Sequence, residues 1–248
     1  MGWYVSKEEL TELGTAVIKD YEGGVTARVP YVNIDKFIAE YLGLKLIYLP
    51  FAEEDRSKMG FLADGYTPLK VWQDGRPVSR VFDRDTVVLD SYLLNKGQEG
   101  PRAFTAAHEA GHYILEKHGV QRARFHREFD SERMYDGSEL SEMFSVEESQ
   151  ADRLAAVLLM PEYKVRAVLK EINGGIKPKT YGDTVTPQET KHIIGRMAKA
   201  MRVSYSAMYI RFRELDLFDR RPLEEYLGFL HPAPDGNIAE DGHCGLPF

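Results

Sequence analysis

Two histidines and a glutamate lie close together in the stretch FTAAHEAGHYILEKH (104–118). Residues four apart share one face of an α-helix, so His108 and His112 can both reach one metal ion. Glu109 flanks that face and can act as the general base that takes a proton from a metal-bound water. This spacing predicts a catalytic site that holds Zn²⁺, with Mn²⁺ or another divalent ion as the alternative.

The third ligand of such a site has two candidates. His118 stands ten residues after His108, a spacing used by zinc proteases whose helix is broken by a glycine, but Leu115 occupies that glycine position here. In an unbroken helix, His118 is turned about 120° away from His112. Glu148 lies on the apolar side of a later predicted helix, where metal binding explains a carboxylate. We therefore predict Glu148 as the third ligand, with the fourth position open for water.

Further polar residues can support this site. Asp152, one helical turn after Glu148, can accept the second N–H of a ligand histidine and so fix its tautomer. A catalytic site also needs a group that stabilises the oxyanion. Tyr113, His126 and Tyr135 can do this, and the sequence does not choose among them.

Two N-terminal helices are predicted from their N-cap residues. Ser6 and Glu9 form a capping box that predicts a helix over residues 6–20. Asn33 caps a second predicted helix, which ends near Gly43.

Apolar runs predict the remaining elements of the N-terminal part. LKLIYL (44–49) is a predicted strand, and KVW, VSRVF and TVVLD, between residues 70 and 90, predict a small antiparallel sheet or meander. Helical periodicity follows over residues 102–117 and returns over residues 147–160. These two helices carry the candidate metal ligands.

The two motifs together are more specific than either one. HEAGH is preceded by FTAA and followed, from Glu148, by E-x-x-A-D-x-L-A-A-V-L-L-M-P. This combination resembles the ImmA/IrrE family of bacterial metallo-endopeptidases, although Leu154 replaces the usual phenylalanine. Position by position, the resemblance implies His108, His112 and Glu148 as metal ligands and Glu109 as the catalytic base.

The resemblance extends over about residues 30–215 and implies an α+β fold. We expect a zincin-like metallopeptidase domain over residues 1–175, with a small antiparallel sheet and the helix that carries both histidines. A loop-like composition then leads to a helix-turn-helix-like subdomain over residues 186–230. A flexible tail is predicted over residues 231–248.

The resemblance also implies a reaction and a partner. A metal-activated water attacks a peptide bond, with Glu109 as general base. The substrate is expected to be a regulatory protein, typically a DNA-binding repressor whose cleavage switches on a stress or mobile-element response. The alternative is a non-proteolytic regulator that binds DNA or sequesters a repressor and has a structural metal site.

The predicted C-terminal helices carry a local excess of positive charge. Residues 194–218 outline two helices joined by a turn, with Ser204 as N-cap of the second. Between residues 191 and 221 there are eight Lys and Arg against three Asp and Glu. Arg211 and Arg213 are candidates for DNA contact. The other interpretation, which we favour, is that these helices pack on the peptidase or dock a protein partner.

Composition limits the class of protein. The chain of 248 residues has a net charge of −7 and a pI of about 5.6, so bulk attraction to nucleic acid is excluded. No apolar run approaches the roughly 20 residues of a membrane span, and the N-terminus lacks an apolar signal core. With a single cysteine, Cys244, the chain fits a reducing compartment, and we expect a cytoplasmic protein that does not bind membranes.

Overall fold

The structure, a computed structural model, describes residues 5–24, 29–54, 58–117, 137–182 and 184–230. The α-helices within these ranges are α1 (Lys7–Tyr21), α2 (Ile34–Lys36), α3 (Glu99–Lys117), α4 (Gly137–Leu159), α5 (Glu162–Asn173), α6 (Gln188–Met201), α7 (Tyr205–Glu214) and α8 (Leu223–Leu230). A short 3-10 helix spans Ser91–Leu94. The strands are β1 (Lys45–Leu49), β2 (Gly60–Leu62), β3 (Leu69–Gln73), β4 (Arg76–Arg80), β5 (Thr86–Asp90), β6 (Lys179–Tyr181) and β7 (Asp219–Arg221). The fold is mixed α+β, as predicted.

The predicted capping box holds the first helix. Ser6 Oγ accepts a hydrogen bond from the Glu9 N–H at 3.1 Å, and the Ser6 N–H donates to Glu9 Oε2 at 2.8 Å. α1 packs along α4, where a Cβ on Gly14 would collide with the side chains of Leu154 and Val157. The capping box is therefore confirmed, and α1 supports the back of α4.

The second predicted helix is present but changes its geometry. Asn33 Oδ1 accepts a hydrogen bond from the Lys36 N–H at 3.2 Å at the start of α2. The helix continues as a π-helical turn over Phe37–Tyr41. Gly43, with a φ of 68°, follows it in a left-handed conformation that glycine adopts without strain.

The strand pairing differs from the predicted meander. β5 pairs in parallel with β1 and antiparallel with β2, giving the order β1-β5-β2, while β3 and β4 form a separate antiparallel hairpin. The prediction that β5 continues the meander is wrong. Thr86–Leu89 are all buried, as is typical of a strand that lies inside a sheet between two other strands. β4 is exposed along its length and contains Pro77, as suits an edge strand.

Helix α3 lies on the β1-β5-β2 sheet and packs closely against α4. Ala106, Ala107 and Ala110 of α3 are completely buried. A Cβ on Gly111 would lie 3.1 Å from the carbonyl oxygen of Ala151 on α4, which is tighter than side chains normally pack. The run of small residues therefore lets the two helices approach.

The predicted pair of C-terminal helices is present as α6 and α7. α6 ends at Met201, Arg202 has a left-handed φ of 56°, and Ser204 Oγ accepts a hydrogen bond from the Ala207 N–H at 3.1 Å. β6 and β7, which flank the pair, are joined in parallel. The hydrophobic cluster that contains core residues of α3 and α4 also contains core residues of α6 and α7.

Two further predictions concern the division into domains and the C-terminal tail. The division between a domain over residues 1–175 and a subdomain over residues 186–230 stays a prediction. The predicted tail, residues 231–248, lies outside the described residues. Within the described part of the chain, no helix combines the length and the apolar character that a membrane span requires.

Arg211, one of the two arginines considered for DNA contact, is buried. It is 2% exposed, its Nε donates to the carbonyl oxygen of Met160 at 3.0 Å, and its Nη1 donates to Glu214 Oε2 at 2.9 Å. This side chain joins α7 to the residue that follows α4, as the packing interpretation expects. Of the two arginines, only Arg213 is exposed to solvent.

We expect Arg211→Met to lower the free energy of unfolding by about 2–3 kcal/mol, because the Met160 carbonyl and the Glu214 carboxylate lose a charged donor. Arg213→Met, on the same helix, is the matched control and should change the free energy by less than about 0.5 kcal/mol. Urea denaturation followed by circular dichroism measures both. Equal effects of the two substitutions would show that Arg211 does not brace the helices.

Candidate metal centre

Helix α3 presents His108 and His112 side by side. Their ring centroids are 4.6 Å apart at an interplanar angle of 81°, and their Nε2 atoms are 3.0 Å apart. Both side chains are mostly buried, with exposed fractions of 17% and 27%. Two unprotonated nitrogens that face each other at this distance repel, unless a proton or a cation lies between them.

Glu148 of α4 completes the group. Its Oε2 lies 3.1 Å from Nε2 of His108, and its Oε1 lies 3.5 Å from Nε2 of His112. The donor atoms of the three residues all lie within 4.8 Å of one another. Two imidazole nitrogens and a carboxylate form a donor set that could hold a metal ion. His118, the other candidate for third ligand, lies outside the described residues.

Asp152 fixes the orientation of one histidine. Its Oδ1 lies 2.8 Å from Nδ1 of His108, within hydrogen-bond distance. If Nδ1 carries the proton and donates it to this carboxylate, the lone pair on Nε2 faces Glu148 and His112. The sequence predicted that Asp152 would contact a ligand histidine, and the structure identifies His108 as that residue.

Glu109 points away from solvent, toward the sheet. Its exposed fraction is only 7%. Gly60, the first residue of β2, lies so close that any Cβ at position 60 would collide with the Glu109 carboxylate and with Thr105. The sequence analysis did not identify Gly60, although a glycine that opens an apolar strand is a known signal of close backbone approach.

Burial determines the acidity of Glu109. Loss of solvation raises the pKa of its carboxyl group to about 7. The nearby charge of His108 lowers this pKa, that of Glu148 raises it, and a hydrogen bond from the backbone of Leu62 lowers it, but burial has the largest effect. A carboxyl group whose pKa is near neutrality can exchange protons in either direction.

The two histidines are held in different electrostatic environments. Burial lowers the pKa of His108, but the hydrogen bond to Asp152 and the nearby carboxylates outweigh it, so that the pKa is raised overall. Burial and then the neighbouring His108 lower the pKa of His112, although Glu148 opposes this effect. Without a metal, His108 therefore holds a proton more readily than His112 does.

One of the three candidates for oxyanion stabilisation lies within the described residues. Tyr113 follows His112 on α3, packs against the hydrophobic core, and has the Lys117 Nζ 5.3 Å from its ring centroid. His126 and Tyr135 lie outside the described residues. Tyr113, His126 and Tyr135 therefore all stay candidates for oxyanion stabilisation.

The acidity of Glu109 gives a pH dependence to the metal-free protein. Its folded pKa of about 7 exceeds the ordinary 4.5, so its contribution to stability is complete below pH 4.5 and is lost as the pH rises through 7. Glu109→Gln does not titrate. Its stability relative to wild type should therefore rise by up to about 3 kcal/mol between pH 4.5 and 8. Urea denaturation in chelator measures this difference, and a constant difference would contradict the burial of an ionisable Glu109.

Comparison with protein-family models agrees with the motifs. The model described as the IrrE N-terminal-like domain, of the peptidase M78 family, matches residues 39–213, which is more than half of the chain. The matched range includes both histidines and Glu148. A search of curated proteins finds no match. The ImmA/IrrE resemblance is thereby confirmed, and the chain belongs to the peptidase M78 (IrrE N-terminal-like) family.

Proposed function

We propose that this protein is a zinc-dependent endopeptidase in which His108, His112 and Glu148 hold the metal and Glu109 is the general base. The observation that carries the proposal is the convergence of two imidazole nitrogens and a carboxylate beside a second, buried carboxyl group, that of Glu109. Membership of a peptidase family supports the same reaction. A set of two histidines and a glutamate favours Zn²⁺ and leaves a coordination position for water.

The proposed chemistry divides between the metal and the protein. When bound, zinc lowers the pKa of water and polarises the scissile carbonyl group. Glu109 takes the proton from the attacking water and later passes it to the leaving amine. Asp152 keeps the Nε2 lone pair of His108 directed at the centre. The closeness of Gly60 excludes water from one side of Glu109, so that its proton is delivered to the substrate rather than to solvent.

The position of β2 suggests how a peptide would reach this site. β2 is an edge strand of the β1-β5-β2 sheet among the described residues, and it begins at Gly60, beside Glu109. An edge strand offers N–H and C=O groups that an extended peptide can use for pairing, although the Leu62 N–H of β2 already donates to Glu109. We propose that the substrate adds to β2, which would bring one of its peptide bonds next to Glu109.

The proposed substrate is a regulatory protein of the DNA-binding repressor class, cleaved in a stress or mobile-element response. The family resemblance supports this substrate. The net charge of −7 is also favourable, because a repressor carries the basic surface that contacts DNA. The burial of Arg211 removes one of the two arginines considered for direct DNA binding and so weakens that alternative.

The ligand assignment predicts which substitutions remove the metal. Glu148→Ala should lower zinc occupancy strongly, because the two histidines alone leave the ion with too few protein ligands. His118→Ala should leave one zinc per chain, because an unbroken helix turns this residue away from the centre. Elemental analysis of the purified variants measures both. Loss of zinc from the His118 variant and retention in the Glu148 variant would reverse the assignment.

The general-base role predicts a separation of binding from catalysis. Glu109→Gln should retain zinc and lose about 10²–10⁴-fold in the rate of cleavage, because an amide does not accept the proton of water. The test substrate is the product of an adjacent repressor-like gene, incubated with and without chelator and analysed by mass spectrometry. If wild type binds this protein tightly and never cleaves it, the sequestering alternative is correct and the endopeptidase proposal is not.

A further inference from the structure

A cleft of about 540 Å³ opens at the start of β2. Its lining includes Met59, the residue directly before Gly60, and Asp90, whose N–H donates to the carbonyl oxygen of Met59 at 2.8 Å. Gly60 in turn lies against Glu109. Because a strand rises about 3.3 Å per residue, Met59 at the cleft and Gly60 at Glu109 are about that far apart along β2. Asp90 lies on the β5 side of β2, so a peptide on the free edge of β2 would extend a side chain over Met59 to enter the cleft.

Two aromatic side chains border the cleft and remain open to solvent. Trp72 of β3 is 49% exposed and Tyr92, just after β5, is 52% exposed. The two come from different parts of the chain and meet at this one opening. Large aromatic faces that stay uncovered beside a cavity are typical of binding sites, since they supply contact area at low entropic cost.

The other part of the lining is charged. The carboxylates of Glu53 and Asp90 are only partly exposed, and backbone N–H groups hold one oxygen of each, at 2.7 Å for Glu53 and 2.9 Å for Asp90. Lys58 is the positive side chain of the lining, and it is exposed. The lining therefore contains two carboxylates held by backbone hydrogen bonds and one solvent-exposed lysine. The negative charge in the interior of the cleft favours a cation.

We propose that this cleft is a specificity subsite that receives an arginine or lysine side chain of the protein substrate. The aliphatic stem and the cationic head would pack on the Trp72 and Tyr92 rings, and the head would pair with Asp90 and Glu53. An apolar side chain would cover both carboxylates without replacing their water, and an acidic one would be repelled. The inference rests on the proposed endopeptidase function and adds the substrate chemistry that the site selects.

Binding to the cleft can be measured without cleavage. The probes are four capped pentapeptides of alanine with a central Arg, Lys, Leu or Glu, titrated into full-length Glu109→Gln protein with zinc. The chain has two tryptophans, so the indole N–H resonance of Trp72 is assigned by its loss in Trp72→Phe. We expect this resonance to shift with the Arg and Lys peptides and to stay unchanged with the other two.

A pair of matched variants tests the role of charge. Asp90→Asn keeps the oxygen that accepts the Tyr92 N–H but removes the charge, and it should weaken binding of the Arg peptide about five-fold or more. Asp83→Asn removes the same charge from an exposed position before β5 and should leave the affinity unchanged. Equal shifts with the Leu peptide, no shift with any peptide, or equal weakening in both variants would each overturn the inference.

A second measurement separates this inference from the proposed function. Wild type and Asp90→Asn are each incubated with a peptide library from a digested proteome, and the cleaved bonds are identified by mass spectrometry. We expect Arg or Lys enrichment at one fixed position in wild type and its reduction in Asp90→Asn. Cleavage without such enrichment would contradict the subsite alone. Binding of the Arg peptide without any cleavage would contradict the endopeptidase proposal and leave the cation site.

Discussion

The close crossing of α3 and α4 is the constraint on which the candidate centre depends. Gly111 lies against the backbone of Ala151, and this contact brings the two helices together between His112 and Glu148. All three residues of the group lie on these two helices, so their relative geometry is set by one helix pair. Rigid packing of this kind holds donor atoms more accurately than loops do. The buried alanines of α3 and the support of α1 behind α4 keep the pair in place.

One side of the candidate centre is buried and the other is exposed to solvent. Glu109 is buried beside β2, whereas the side chains of Glu148 and Asp152 are 61% and 56% exposed. Burial of a carboxyl group is unfavourable even where one backbone N–H, that of Leu62, bonds to it, and the proposed role of Glu109 in proton transfer would account for its burial. The exposed carboxylates on the other side leave the histidines accessible to a metal and to water. In the proposed function, the directions of these side chains would therefore separate proton transfer from metal access.

Sequence reasoning worked where spacing along one helix decided the outcome, and it was less accurate where distant segments meet. The convergence of the paired histidines and Glu148 follows from helical periodicity and from the second motif, and the capping box and the N-caps are local. The pairing of β5 with β1 was missed, because order in a sheet depends on which strand can be buried on both faces. Gly60 was missed for a similar reason: its role lies in a contact with Glu109, 49 positions away. Arg211 was considered for the surface because its charge is visible in the sequence, whereas its acceptor, the Met160 carbonyl, is not.

The same limit explains why Glu148, the proposed third ligand, was the hardest position to infer from the sequence. The histidine pair needs only one helix, but Glu148 needs α4 to cross α3 with a particular register. A shift of one residue in α4 would rotate Glu148 by about 100° and also separate Asp152 from His108. Two contacts from one helix, Glu148 to both histidines and Asp152 to His108, agree on a single register. Glu148 and Asp152 are four residues apart, as the two histidines are, so two helical faces with the same spacing meet at the candidate centre. This agreement supports the proposal of Glu148 as third ligand more strongly than the presence of one carboxylate would.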